Sequence, residues 1–402
     1  MQHHFPKIEH IDDVRVAIQD HPEIVIARRV GFDVVNYVNV TSDTFRPPVV
    51  KDDGSYFYPQ AEVIRRECRG LIFDQKTGKI IRRPFHKFFN LNERMETMDT
   101  VVDLTTASHL YRKLDGSMIA PFVTSDNVFR IGTKMGETEI ADQVKDWVDI
   151  YWKHQCMWCI GEGITPIFEW MSPWNTVVIR HSEPKLTLIG LREMISGRYL
   201  DLHGPEADRY GFASIVDTFP NTSNGQAEIV SRVRDLVDEE GIVACWDDGS
   251  RVKVKGDWYT AIHKVKDNLL YERNVVSLIL NEQLDDVMPY LDEIDRKRLA
   301  LYQDDLYDLL YTKAENVAET VWRAIHEQKL DKKGFALGAA KTLGPFAGIG
   351  FRLFDLGLDI NDDGREKAEA AVKEMMLKMS ISNSKWADFK QAAKVKNGTL
   401  VW

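Results

Sequence analysis

The chain has 402 residues, too many for one ordinary domain and enough for two separate cores. Its 44% hydrophobic and 28% charged content is that of a globular protein in water, and no apolar run approaches the roughly eighteen residues of a membrane span. Lys plus Arg is 52 against 62 for Asp plus Glu, a net charge of −10, which argues against coating nucleic acid through bulk charge but allows a local basic cleft.

The first residues, MQHHFPKIEH, show no basic start, apolar stretch and cleavage site of a secretory signal, so a cytosolic chain is expected. Four cysteines (Cys68, Cys156, Cys159 and Cys245) are few for this length and fit reduced thiols. Cys156 and Cys159 form a C-x-x-C, but no second pair follows at finger spacing, and the pair ends an amphipathic helix. Structural cysteines are expected there ahead of a zinc or redox role.

Up to about residue 262 the pattern is mostly strand. GLIFDQKTGKIIRRPF, MIAPFVTSDNVFRIGTK, TLIGLREMISGRYLDL and GIVACWDDGSRVKVKGDWY each read as two apolar strands around a short polar turn. Adjacent strands joined by short turns predict largely antiparallel sheets. Two helices interrupt them. Ile140, Val144, Trp147, Val148 and Tyr151 share one helical face, and so do Ile229, Val233, Leu236 and Val237. After about Lys264 the periodicity is helical throughout. The fold class expected is therefore α+β, an antiparallel-sheet domain over residues 1–262 followed by an all-helical domain over 263–402. GFALGAAKTLGPFAGIG lacks the Gly-Lys-Ser/Thr ending of a phosphate loop, and its small residues predict close helix packing broken at Pro345. In RKRLALYQDDLYDLLY the aromatic residues, at helical spacing, are expected in the core.

The chemistry concentrates around LYRKLDGSMIAPF. Here Lys113 stands between apolar residues and is followed by Asp115, Gly116 and Ser117. A free lysine titrates near 10.4, so one in ~2,500 is neutral at pH 7, and a lysine that attacks phosphorus must be neutral. Burial and nearby cations both favour that form. Cations are available elsewhere. Lys253 and Lys255 sit two apart on a strand and share a face, Arg69 opens the strand of ECRGLIF, and Lys87 precedes Phe88 and Phe89. Glu169 and Glu240 are carboxylates in apolar strand contexts, each a salt-bridge partner or a ligand for a hydroxyl or divalent ion. Singly, each of these residues is an ordinary structural residue.

Their order resembles the covalent nucleotidyltransferases, the superfamily of ATP-dependent DNA ligases, RNA ligases and mRNA capping enzymes. KLDGS, IFEWMSP with Glu169, EGIV with Glu240 and Gly241, and KVK with Lys253 and Lys255 follow that superfamily's motif order. ECRGLIF, RPFHKFFNLNE and DGSRVKVKGDWY look more narrowly like the phage RNA ligases that reseal broken tRNA, the RNA ligase type 1 family. That resemblance covers Glu67 to Tyr259, and Leu114 stands where the family carries an acidic residue in some members. It implies that Lys113 attacks the α-phosphate of ATP and forms a lysyl-AMP, with Lys255 on the α-phosphate and Lys253 beside it. Arg69 and Lys87 would hold the β- and γ-phosphates, Glu169 the ribose, and Glu240 the divalent ion, Mg²⁺ or alternatively Mn²⁺. Phe89 would neighbour the nucleoside, Lys134 would add a further cation, and Asp115 and Gly116 complete the nucleotide-binding motif.

The same resemblance implies RNA 5′-phosphate and 3′-hydroxyl ends as substrate, nicked tRNA among them. It further implies an end-healing kinase/phosphatase as partner, a monomer, and the host cytoplasm for a viral chain. DNA ligases and capping enzymes place a small β-barrel after K-x-K, where this chain turns helical, which favours an RNA ligase. A capping guanylyltransferase would use GTP. A catalytically dead RNA-binding relative would have no need of both Lys113 and Glu240, and a protein-modifying transferase would use lysyl-AMP on another acceptor.

Overall fold

The computed structural model describes residues 4–41, 43–52, 56–221, 225–395 and 400–402. The chain divides into two compact units, Met1–Thr260 and Ala261–Trp402.

The first unit carries the strands β1 (Ile24–Arg28), β2 (Phe32–Tyr37), β3 (Val49–Val50), β4 (Tyr56–Phe57), β5 (Arg69–Asp74), β6 (Ile80–Arg82) and β7 (Phe89–Asn90). They continue with β8 (His109–Lys113), β9 (Ser117–Val123), β10 (Phe129–Gly132), β11 (Ile164–Met171), β12 (Lys185–Glu193), β13 (Gly241–Cys245) and β14 (Arg251–Lys255). Three four-stranded sheets result, ordered β1-β2-β5-β6, β10-β9-β11-β12 and β7-β14-β13-β8, beside the β3-β4 ribbon. Pairing is antiparallel except for β7 with β14.

Alternation decides what each sheet face does. In the third sheet Leu110, Ile242, Ala244 and Val254 are buried against Ile229 and Val233 of the helix Gln226–Arg234. The residues between them therefore point to the opposite face, which brings Tyr111, Lys113, Val243, Lys253 and Lys255 to one surface. In the second sheet Phe168 and Trp170 enter a core with Val144, Val148, Cys156 and Cys159, so Glu169 points the other way.

Three of the four predicted hairpins form, β5-β6, β9-β10 and β13-β14. In the fourth, the second arm reduces to a single bridge between Arg192 and Tyr199, because Tyr199 packs its ring into a cluster with Phe85 and His86. The helix expected through Val237 stops at Arg234, and Val237 is exposed. Asp238 takes a φ of 59°, turning the chain just before Glu240 and the start of β13 at Gly241. The first amphipathic helix ends at Tyr151, itself exposed, and the C-x-x-C lies in a separate helix, Lys153–Gly161. Cys156 and Cys159 are buried there, and burial pushes both thiols well up from their ordinary value.

A buried ionic knot ties the first unit together. Glu67 accepts from Arg192 at 2.8 Å through both oxygens and from Arg83 at 3.1 Å. Arg83 also donates to the carbonyls of Pro6, Met194 and Ile195.

The second unit is helical among its described residues. Its longest helix, Glu293–Trp322, is capped by Asp292, whose carboxylate accepts from the amides of Ile294 and Asp295. Leu299, Tyr302, Leu306, Leu310, Ala314, Val317 and Val321 form its buried stripe, while Tyr311 is half exposed. The glycine-rich segment forms short helices, Lys332–Leu337, Ala339–Thr342 and Ala347–Asp355. A Cβ at Gly350 would stand 2.4 Å from Leu343, the close approach its small residues permit.

Candidate active site

Register builds the centre of the site. Gly241 opens β13 and pairs with Lys113 on one side and Lys255 on the other. The residue before it, Glu240, is buried and reaches both lysines, Oε2 at 2.7 Å from Lys113 Nζ and Oε1 at 3.0 Å from Lys255 Nζ. Gly241 has φ +140°, and a Cβ there would meet the Val254 carbonyl at 2.1 Å, so only glycine lets the strands close this tightly.

A cavity of about 580 Å³ lies over this sheet face. It brings together Lys113, Gly116, Arg69, Lys87, Lys134, Glu169 and Lys253. Glu240 and Lys255 stand behind Lys113 and are not part of the lining. Glu169 is opposite Met118 on β9, and Arg69 Nη1 of β5 lies 3.2 Å from the Met118 sulfur, which links the first sheet to the second.

Asp115 has another setting. It is buried, its Oδ2 accepts from the amides of Val178 and Ile179 at 2.8 and 2.6 Å, and its Oδ1 accepts from the Tyr259 hydroxyl at 2.7 Å. It clamps the turn after Lys113 and does not line the cavity. Gly116 is required by contact, since a Cβ would stand 2.3 Å from the Trp170 carbonyl. Phe89 is buried outside this cavity, with Lys87 Nζ 5.0 Å from its ring, and its neighbour Phe88 occupies the cavity wall with Lys253 Nζ 5.4 Å from its ring.

The electrostatics follow from crowding charges in a partly dry site. Lys253 is pushed down to about 7, first by burial and then by the Lys87 and Lys113 cations. Glu169 is pushed up to about 7, chiefly by burial, with Glu240 and Asp115 adding to the effect against Lys113 and Arg69. Perturbed groups of both signs in one cleft mark a functional site more often than a structural one.

Sequence reasoning missed Tyr37. Its ring sits between Lys87 and Lys134, with the ammonium nitrogens 5.4 and 5.3 Å from its centre. Burial raises its phenol, but Arg69, Lys87 and Lys134 outweigh burial and hold the group below its ordinary value. Tyr259, which stands 5.0 Å from Lys255, and Phe88 were missed too. Nothing in VVNYV marks Tyr37 as more than a strand residue, whereas Tyr259 lies within the DGSRVKVKGDWY segment already singled out.

Among the described residues no three His, Cys, Asp or Glu side chains stand close enough to hold a metal alone. The donor chemistry fits a different arrangement. Mg²⁺ takes one or two carboxylates and completes its shell with water and substrate phosphate. Glu240 and Glu169 offer such carboxylates beside the Lys113, Lys253 and Arg69 cations.

The family model described as RNA ligase matches residues 67–259. A Thermovibrio ammonificans protein named "Putative RNA ligase" is 30% identical over 281 residues, 64% of this chain and 70% of its own length. "RNA ligase 1" of bacteriophage TS2126 is 27% identical over 243 residues, 54% of this chain, and the match spans 58% of that protein. An archaeal ATP-dependent RNA ligase structure matches over 94% of this chain and 78% of its own, at 12% identity and a TM-score of 0.40. No helix among the described residues is long and apolar enough to cross a membrane.

Proposed function

The chain belongs to the phage-type RNA ligase family, and from that premise we propose that it seals RNA with ATP through a lysyl-AMP on Lys113. The single observation that carries this reading is the Lys113–Glu240–Lys255 cluster opening onto a cavity ringed by Arg69, Lys87, Lys134 and Lys253. Phosphoryl-type transfer is mostly positioning and charge neutralisation, which is what such a ring supplies.

In the first step the neutral Lys113 amine attacks the α-phosphorus of ATP. The N–P bond forms, the bond to the bridging oxygen of the β-phosphate breaks, pyrophosphate leaves, and the surplus amine proton goes to solvent. Arg69, Lys87 and Lys134 neutralise the outgoing phosphates, Lys253 and Lys255 the α-phosphate, and Glu169 accepts from the ribose. Bound Mg²⁺ would supply further neutralisation of phosphate charge, with Glu240 as a protein carboxylate. An RNA 5′-phosphate oxygen then takes the adenylyl group from Lys113. Finally an RNA 3′-hydroxyl attacks that 5′-phosphate, and AMP leaves. Asp115 acts here by holding the turn that presents Lys113, its acceptor positions being filled by protein donors.

Cleaved tRNA is the substrate we assign, with the helical unit as its recognition element and an end-healing kinase/phosphatase as the supplier of its ends. The test is to give the purified protein a nicked tRNA bearing 5′-phosphate and 3′-hydroxyl ends and to measure sealing against an unstructured RNA of equal length. Preferential sealing of the tRNA supports the assignment, and equal rates contradict it.

A further inference from the structure

A second cavity, of about 440 Å³, adjoins the nucleotide cavity in the first unit, and His86, Lys87, Phe88 and Arg251 line both. Its own walls include the aromatic side chains of Tyr58 and Trp246 and the carboxylates of Asp103, Asp247 and Asp248. None of these residues belongs to the machinery assigned above. The polar groups are held in place. Trp246 Nε1 donates to Thr106 Oγ1 at 3.0 Å, Ser108 Oγ donates to Asp247, and Asp248 accepts from the Ser250 amide at 2.9 Å. The size is that of a small-ligand pocket.

Charge separates this cavity from its neighbour. The nucleotide cavity carries an excess of cations, as a triphosphate requires. In the second cavity the Arg66 guanidinium is already paired with Glu96 at 2.8 Å, and the three carboxylates of Asp103, Asp247 and Asp248 share the remaining lining with Lys87 and Arg251. Such a lining repels a 5′-phosphate end. It suits an uncharged nucleoside, whose base stacks on aromatic walls and whose ribose hydroxyls donate to carboxylates.

RNA sealing consumes two different ends. One is the 5′-phosphate, and the other is a terminal nucleoside whose 2′- and 3′-hydroxyls are free. Resting on the ligase reading, we infer that the second cavity binds the terminal nucleoside of the 3′-hydroxyl strand, across the Lys87–Phe88 wall from the adenylylated lysine. Trp246 supplies stacking, and Asp247 accepts from a ribose hydroxyl. The hairpin turn that carries both residues leads directly into β14 and Lys253, so acceptor site and phosphate site share one rigid element.

The test uses full-length protein and separates the steps. Lysyl-AMP formation is measured with ATP alone, and joining is measured with a pre-adenylated donor RNA over a range of acceptor RNA concentrations. Trp246→Ala and Asp247→Asn each raise the acceptor KM, by on the order of tenfold for the lost stacking surface, and Trp246→Phe restores it. Lysyl-AMP formation stays within about twofold of wild type, as expected for residues outside the nucleotide cavity. An unchanged acceptor KM, or an equal fall in lysyl-AMP formation and joining, overturns the inference. A wild-type protein that forms no lysyl-AMP overturns the ligase reading itself, and that is seen before any variant is compared.

Discussion

Glu240 is buried and contacts two ammonium groups at once, with the Tyr259 hydroxyl beside it. Glu240→Gln keeps the shape and removes the charge that holds Lys113 and Lys255 side by side. Lysyl-AMP formation should fall on the order of a hundredfold, while binding of a non-hydrolysable ATP analogue, followed by fluorescence, changes much less. Lys253 offers a test by pH. Burial and the neighbouring Lys87 and Lys113 cations push it down to about 7, so its ammonium charge is present below that pH and lost above it. Analogue binding should weaken by up to about tenfold per pH unit above 7. In Lys253→Arg, which stays charged, the weakening should vanish, and an unaltered pH profile in that variant would remove Lys253 from phosphate binding.

Two glycines decide whether the strands can bring these groups together. Gly116 lies against β11 and Gly241 against β14, each with a carbonyl where a Cβ would be. Gly116→Ala should therefore displace the turn after Lys113, cost about 1–3 kcal/mol in denaturant unfolding, and slow adenylylation beyond what that lost stability accounts for. The strand elements were legible in the sequence because apolar and basic residues alternate, so V-K-V-K fixed both the sheet and the face of Lys253 and Lys255. Tyr37 was not legible, because the cations around it, Arg69, Lys87 and Lys134, come from roughly thirty to a hundred positions away. Asp115 was legible as part of a motif but not as a clamp, since its donors at Val178, Ile179 and Tyr259 are equally remote. The helix boundary at Arg234 was missed for a local reason. Leu236 and Val237 continue the apolar period, and only the turn at Asp238 breaks it.

At the scale of the molecule, the first unit has cores of its own and holds the whole candidate site. Deleting residues 270–402 should then leave lysyl-AMP formation within a few-fold of wild type and impair nicked-tRNA sealing far more. Equal loss of both would assign the helical unit a structural role. The Glu67 knot sets the acid limit of the first unit. Although burial opposes ionisation, Arg192 and Arg83 hold the carboxyl at about 2, below its unfolded value. Its contribution is full above the unfolded pKa of about 4.3 and is lost as pH falls toward 2. Glu67→Gln leaves two buried guanidinium groups without their counter-charge and should cost about 3–5 kcal/mol at neutral pH, read from the denaturant midpoint.

The central claim is the covalent bond between Lys113 and AMP. The protein, freed of any prior adduct, is incubated with Mg²⁺ and ATP or GTP labelled at the α-phosphate, and acid-labile adducts are mapped by peptide mass spectrometry beside Lys113→Ala. An AMP adduct on Lys113 from ATP alone, absent in the variant, is the predicted result. A GMP adduct would transfer the chain to capping chemistry, and no adduct from folded protein would contradict the mechanism outright.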